Sequence, residues 1–235
     1  MKAKWRLLCG VIAGPLFIIT FILIGMLRPH YSALRNSVSA LANGRHGWLQ
    51  VANFEITGLL IMIFAFGIYH YFRQAHEKAG RASLFAIVAV AVIGAGLFKT
   101  DMPGVNYPGT FGLQLEHTWH GTLHVLFSVT GFLVLATACF MFAWQFRRWK
   151  LTGWANYSVM SGIGILFFLL ISIAAIKNIW GLNAYYGLFE RCSIITGLSW
   201  QSLFAARLLT LLQLEVDSDA GSGSGRERLK GSATN

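Results

Sequence analysis

Six long apolar stretches, separated by polar connections, constrain the fold of this chain more than any other feature of its sequence. A helix needs about 20 predominantly apolar residues to cross the hydrocarbon core of a bilayer, and each stretch approaches or exceeds that length. The sequence therefore predicts an all-α polytopic membrane protein in which residues 1–214 form a bundle of six transmembrane helices. The predicted spans cover residues 7–27, 51–72, 83–98, 119–146, 159–176 and 192–214.

The charged residues of the chain are few and dispersed. They make up 12% of the sequence, against about 25% in an average soluble domain. The net charge of +10 comes from short basic clusters between the apolar stretches, which is typical of membrane topology rather than of a nucleic-acid-binding surface. We therefore expect membrane lipid as a partner and no nucleic acid.

Lysine and arginine are densest at the N-terminus and in the short connections at residues 73–82 and 147–150. Because basic connections stay on the cytoplasmic side, this pattern predicts an N-in/C-in protein whose longer connections face outward. We expect a multi-pass protein of the plasma or inner membrane of the cell. Residues 215–235 are rich in Gly, Ser and charged residues, and we expect them to form a disordered cytoplasmic tail.

Three histidines open the fourth predicted span. His117, His120 and His124 are spaced i, i+3 and i+7, so on a helix they fall within roughly 60° of one another. Ser128 and Gly131 continue the same face into the span. Polar residues that line up at membrane depth are costly and indicate a functional site.

Further polar residues are expected at the same membrane face as the histidines. In residues 31–50, Leu34, Val38 and Leu41 recur at helical spacing, which predicts a short amphipathic helix on the membrane surface. We expect Glu55 to pair with Arg35 or Arg45. The residues predicted to bind a ligand are Arg35, Ser37, Ser39, Asn53, Glu55 and Glu190.

One interpretation of the histidine face is a metal or acid–base site. Imidazoles and a carboxylate bind zinc well, so Asp101, His120 and His124 are the predicted ligands of zinc or a similar divalent metal. Together with His117 they are also the predicted catalytic residues. A water bound to such a metal has its pKa lowered to about 7, which suits hydrolysis of a lipid or another amphiphile.

Two other interpretations stay open beside the hydrolase. Haem would need a second histidine at similar depth on a facing helix, and His70 is predicted at the opposite membrane edge. Alternatively, the histidines contribute polar packing, and the protein binds a lipid or small amphiphilic molecule without catalysis. It would then act as a sensor, a transporter-like protein or a scaffold.

Several short motifs occur in a fixed order along the chain. They are residues 28–32 (Arg-Pro-His-Tyr-Ser), residues 36–41 (Asn-Ser-Val-Ser-Ala-Leu), residues 47–54 (Gly-Trp-Leu-Gln-Val-Ala-Asn-Phe), Asp101, and the His117, His120, His124 spacing. This arrangement resembles a bacterial six-span integral membrane family catalogued as domain of unknown function 998. The resemblance covers residues ~7–213 and implies six spans with polar connections on one side, but no activity. The chain departs from the family pattern at Ala40, where the resemblance implies a glutamate.

Overall fold

A computed structural model describes residues 2–101 and 117–231 of the chain, with side chains for residues 4–101 and 117–214. These residues form six long α-helices, each long and apolar enough to cross a membrane, and no strand occurs among them. The prediction of an all-α, six-span membrane protein is confirmed. The helices are α1 (Lys2–Leu27), α2 (Trp48–Gln74), α3 (Ala82–Leu97), α4 (Trp119–Arg148), α5 (Thr152–Ile176) and α6 (Tyr186–Gly231).

The helices form a closed ring. Each helix packs against the next one along the chain, and α6 returns to pack against α1. Large apolar side chains such as Leu23, Phe66 and Leu170 remain exposed on the outside of the ring. An apolar exterior of this extent is what a lipid-facing surface requires.

We call the two ends of the ring the loop end and the opposite end. The loop end carries residues 28–47 and the starts of α2, α4 and α6. The opposite end carries the connections at residues 75–81 and 149–151. The predicted N-in/C-in orientation and the choice of membrane stay predictions, because the fold is compatible with either face outward.

Aromatic side chains fill the ring interior in the half near the opposite end. Phe85, Phe142, Trp200 and Phe204 are fully buried there. The Phe142 and Phe204 ring centroids lie 4.4 Å apart, and the Trp200 and Phe204 rings stack at 5.3 Å. The Trp200 indole N–H donates a 2.9 Å hydrogen bond to Ser158 Oγ. This aromatic core fills the interior of the ring in that half.

The connection between α1 and α2 is not the predicted amphipathic surface helix, and that prediction is wrong. Residues 36–43 are all buried, with a short 3₁₀ turn at Ser39–Ala42, whereas Leu34 is 49% exposed. This segment is directed into the protein because hydrogen-bonding groups of Arg28, just after α1, and of Glu190 and Arg191 on α6 meet it there. These partners are distant in the sequence, so the local hydrophobic pattern of residues 31–50 gives no information about them.

The last two helices begin earlier than their predicted spans. α5 starts at Thr152 and α6 at Tyr186. Glu190 and Arg191 therefore belong to α6 and not to the preceding connection. α6 also continues to Gly231, so residues 215–231, predicted to be disordered, are helical here, and residues 232–235 lie outside the described residues. Adding residues to an existing helix avoids a new nucleation step.

Candidate functional site

A cavity of about 90 Å³ lies inside the ring, in the half near the loop end. Its wall is mostly apolar and is contributed by α1, α2, α3, α4, α6 and the 3₁₀ turn. The main apolar lining residues are Phe17, Phe54, Phe127, Phe132, Ile194 and Leu198, and the polar ones are Ser39, Thr57, Ser128 and Glu190. A small number of polar groups in an apolar cavity is the usual composition of a ligand site.

Glu190 is the carboxylate of this cavity. Its Oε2 accepts a 2.6 Å hydrogen bond from the backbone N–H of Val38, and its Oε1 accepts a 3.4 Å hydrogen bond from the Ser39 hydroxyl. Ser37 has a different task, because its Oγ accepts a 3.0 Å hydrogen bond from the backbone N–H of Ala40 and so fixes the 3₁₀ turn. Two of the predicted ligand-binding residues, Ser39 and Glu190, therefore meet at the cavity wall.

Arg191 holds the first half of the buried connection against α6. Its Nη1 donates to the carbonyl oxygens of Ala33 at 2.6 Å, Asn36 at 2.7 Å and Gly187 at 2.8 Å, and its Nη2 donates to the Tyr31 hydroxyl. A Cβ at Gly187 would overlap the Asn36 carbonyl oxygen, so this close approach requires a glycine. Arg191 thus satisfies carbonyl groups that burial would otherwise leave unpaired.

Arg28 holds the second half of the same connection. Its Nη1 donates to the Leu41 carbonyl oxygen at 2.9 Å and its Nη2 to that of Asn43 at 2.5 Å. The sequence reasoning missed both arginines as residues of the site. Their position at the edges of apolar stretches could have indicated this role, because a charge there is costly unless it has partners.

Thr57 is the unpartnered polar group of the cavity. Its side chain is 0% exposed, and its Oγ1 has no hydrogen-bond partner in the described part of the protein. A buried hydroxyl without a partner is destabilising, and few are found in native proteins. The Thr57 hydroxyl is therefore available to a molecule that enters the cavity.

His124 is buried next to the cavity and bonded at both ring nitrogens. Its Nδ1 lies 2.8 Å from the Ala95 carbonyl oxygen and 2.9 Å from that of Phe98. Because carbonyl oxygens only accept, Nδ1 carries a proton, and Nε2 of the neutral ring accepts from the Ser128 hydroxyl at 3.3 Å. Ser128 itself lines the cavity, as does Gly131.

Asp101, His117 and His120 lie at the surface of the loop end. Asp101 Oδ1 accepts a 2.5 Å hydrogen bond from the Thr118 hydroxyl, and its Oδ2 is 4.0 Å from Nδ1 of His117, whose side chain is 95% exposed. His120 is exposed and stacks on Trp119 with ring centroids 3.5 Å apart. The described residues include no group of three His, Cys, Asp or Glu side chains placed to hold a metal ion.

The remaining predicted ligand-binding residues lie apart from one another. Arg35 is exposed, whereas Asn53 is buried and its Nδ2 donates to the Phe17 carbonyl oxygen at 3.1 Å. Glu55 Oε1 is buried without a hydrogen-bond partner among the residues whose side chains are placed. The ion pair expected between Glu55 and Arg35 or Arg45 is not among those that these residues form.

The model of a family described as "Protein of unknown function (DUF998)" matches residues 11–207 of the chain. No curated protein and no solved structure matched the chain.

Proposed function

The chain belongs to the DUF998 family, whose description states no activity, and we propose from the cavity geometry that it binds an amphiphile within the membrane. The apolar part of the ligand would occupy the cavity, and its polar group would bond to Thr57, Ser39 and Glu190. The observation that carries this proposal is the fully buried Thr57 hydroxyl, which has no hydrogen-bond partner among the described residues, in a cavity that Glu190 also lines.

The energetic cost that this cavity would have without an occupant supports the proposal. At about 24 cal/mol per Å³, a void of this size destabilises a protein by about 2 kcal/mol. An unpaired buried hydroxyl costs about 1–3 kcal/mol more. A ligand with an apolar segment and a hydrogen-bonding group would offset both costs at once.

Cavity size and chemistry restrict the ligand. The volume of about 90 Å³ is smaller than the roughly 150 Å³ cavity that admits benzene, so only a segment of an apolar chain enters. The rest of the molecule would lie in the bilayer or at its surface. Glu190 retains acceptor lone pairs beyond those used by Val38 and Ser39, so we expect the ligand to carry a hydroxyl or amine donor.

The test compares dodecanol and dodecylamine with dodecane as probes on the purified full chain. We expect the two amphiphiles to raise the Tm and dodecane to raise it less. Thr57→Val should raise the Tm of the ligand-free protein, because it removes an unpaired hydroxyl, and should reduce the shift that the amphiphiles cause.

Ser172→Ala is the matched control for Thr57→Val. The Ser172 hydroxyl is also buried without a partner among the described residues, but Ser172 lies on α5 outside the cavity lining. Its removal should raise the ligand-free Tm and leave the amphiphile shift unchanged. Equal shifts with all three probes, or an equal loss of shift in both variants, would refute the proposal.

A second candidate function is hydrolysis of an acyl ester of the bound amphiphile. The observation that favours it is the hydrogen bond between Ser128, at the cavity wall, and His124, whose other nitrogen is held by two carbonyl groups. In this step Ser128 Oγ would bond to the acyl carbon while His124 Nε2 takes its proton and passes it to the leaving alkoxide. Water would then release the acid from Ser128. The prediction that Asp101, His117 and His120 take part in catalysis stays a proposal.

Labelling with a fluorophosphonate tests this second candidate. Hydrolase activity predicts covalent labelling of Ser128 that disappears in Ser128→Ala and in His124→Gln. Ser161→Ala, which changes a buried serine of α5 outside the cavity lining, is the control and should not affect labelling. Amphiphile binding without labelling would refute the hydrolase function and support amphiphile binding only.

A further inference from the structure

A second groove lies at the opposite end of the ring, between α3 and α4. It has a volume of about 680 Å³ and is distant in the fold from the cavity. Its polar part contains Lys78, Arg81 and Ser83. Its apolar part is lined by Leu84, Phe140, Met141 and Trp144.

The polar part of the groove is held in place by hydrogen bonds. Arg81 is buried, and its Nη1 donates to Oε1 of Gln145. Gln145 Nε2 in turn donates to Glu77 Oε1 at 2.8 Å, and Trp149 Nε1 donates to the same oxygen at 3.3 Å. The Glu77 carboxylate is therefore directed toward Gln145 and Trp149, and its Oε2 lies 4.0 Å from Nη1 of Arg148. Glu77 does not line the groove.

Cations surround the indole at the boundary between the two parts. The guanidinium carbon of Arg81 lies 5.1 Å from the Trp144 ring centroid, and that of Arg148 lies 5.0 Å from it. Lys78 is exposed and adds a further positive charge. Tryptophan beside basic residues at the end of a membrane span is typical of the headgroup level of a bilayer.

We propose that this groove binds an anionic phospholipid. The phosphate would bond to Lys78 and Arg81, and an acyl chain would follow Leu84, Phe140 and Met141 toward the membrane interior. Phe140 and Met141 are exposed on the outside of the ring, where lipid chains are present. The combination of a basic end with an apolar, membrane-facing trough fits a phospholipid better than a soluble anion, which has no use for the trough.

Native mass spectrometry of the detergent-solubilised full chain tests this site. The probes are phosphatidylglycerol and phosphatidylcholine with identical acyl chains. We expect phosphatidylglycerol to bind more tightly, and Lys78→Gln to weaken its binding about fivefold, the usual effect of losing one basic residue near an anionic headgroup. Lys78 is exposed, so this variant should fold even where Arg81→Gln does not.

Two controls decide whether the bound lipid occupies the groove. Lys150→Gln removes an exposed charge from the same end without touching the groove, and it should change binding less than Lys78→Gln does. Thr57→Val alters the cavity and should leave phosphatidylglycerol binding unchanged, so this proposal stands or fails separately from amphiphile binding. Equal binding of the two phospholipids, equal effects of the two lysine variants, or loss of phosphatidylglycerol binding in Thr57→Val would overturn it.

Discussion

The backbone N–H of Val38 donates a 2.6 Å hydrogen bond to Oε2 of Glu190, which lies 152 residues further along the chain. The next residue of α6, Arg191, donates to the carbonyl oxygens of Ala33 and Asn36 in the same connection. Two consecutive side chains of α6 therefore satisfy an N–H group and two carbonyl groups of the connection between α1 and α2. This arrangement also positions Ser39 at the cavity wall.

Glu190→Ala should destabilise the protein by about 1–3 kcal/mol, because the buried Val38 N–H loses its hydrogen-bond acceptor. Glu190→Gln should cost less, since its amide oxygen still accepts that bond. Thermal unfolding of the purified variants measures both effects. Glu55→Ala is the matched control, because Glu55 Oε1 is buried without a partner among the described residues. A loss in Glu55→Ala as large as that in Glu190→Ala would contradict the assignment.

Arg191→Lys keeps the charge but removes the planar guanidinium that reaches several carbonyl groups at once. We expect a loss of about 1–3 kcal/mol and faster amide hydrogen exchange in residues 33–43. Hydrogen-exchange mass spectrometry resolves this segment. Arg35→Lys is the control, since Arg35 is exposed, and it should leave the exchange unchanged. Unchanged exchange in Arg191→Lys would show that the connection is held by other groups.

Thr118 caps the N-terminus of α4. Its Oγ1 accepts a 3.0 Å hydrogen bond from the Gly121 N–H, and its hydroxyl donates to Asp101. Thr118→Ala should lower the free energy of unfolding by about 1 kcal/mol, the usual effect of losing such a cap. Thr118→Ser retains the hydroxyl and should retain most of the stability, as denaturant titration would detect. Equal losses in the two variants would mean that the methyl group, and not the cap, matters.

Gln145 connects Arg81 to Glu77 at the opposite end. Gln145→Leu should destabilise the protein by about 1–3 kcal/mol, because the buried Arg81 and the half-buried Glu77 each lose a hydrogen bond. Gln74→Leu, at the exposed end of α2, should change stability by less than about 0.5 kcal/mol. Thermal unfolding distinguishes the two variants. An unchanged stability in Gln145→Leu would indicate that Arg81 and Glu77 pair directly when Gln145 is absent.

The six helices could be predicted from sequence because each apolar stretch is long enough to span a membrane by itself. The buried connection could not be predicted in this way. Ser37, Ser39 and Asn36 have the composition of a surface segment, and only the arrival of α6 gives them a buried environment. Glu190 and Arg191 fall outside the predicted sixth span because charged residues at the edge of an apolar stretch usually mark its end, whereas α6 already begins at Tyr186.

The histidine face illustrates a different limit of sequence reasoning. Helical spacing correctly groups His124 with Ser128 and Gly131, because these residues belong to one helix with a fixed period. The spacing contains no information on the partners of His124, which are the backbone carbonyl oxygens of Ala95 and Phe98 on the end of α3. Every residue type has a backbone carbonyl group, so a sequence does not show which residues supply one as a partner. A histidine that binds a metal and a histidine that bonds to the end of a neighbouring helix therefore have the same sequence pattern.

The closing contact of α6 with α1 has a consequence for how the protein is made. A ribosome delivers α1 and the first connection early and α6 last, so the carbonyl groups of Ala33 and Asn36 exist for most of synthesis without Arg191. Until the final helix inserts, this segment has to stay hydrated at the membrane surface or be held by another protein. A chain that ends before α6 would therefore leave the carbonyl groups of Ala33 and Asn36 without Arg191 permanently.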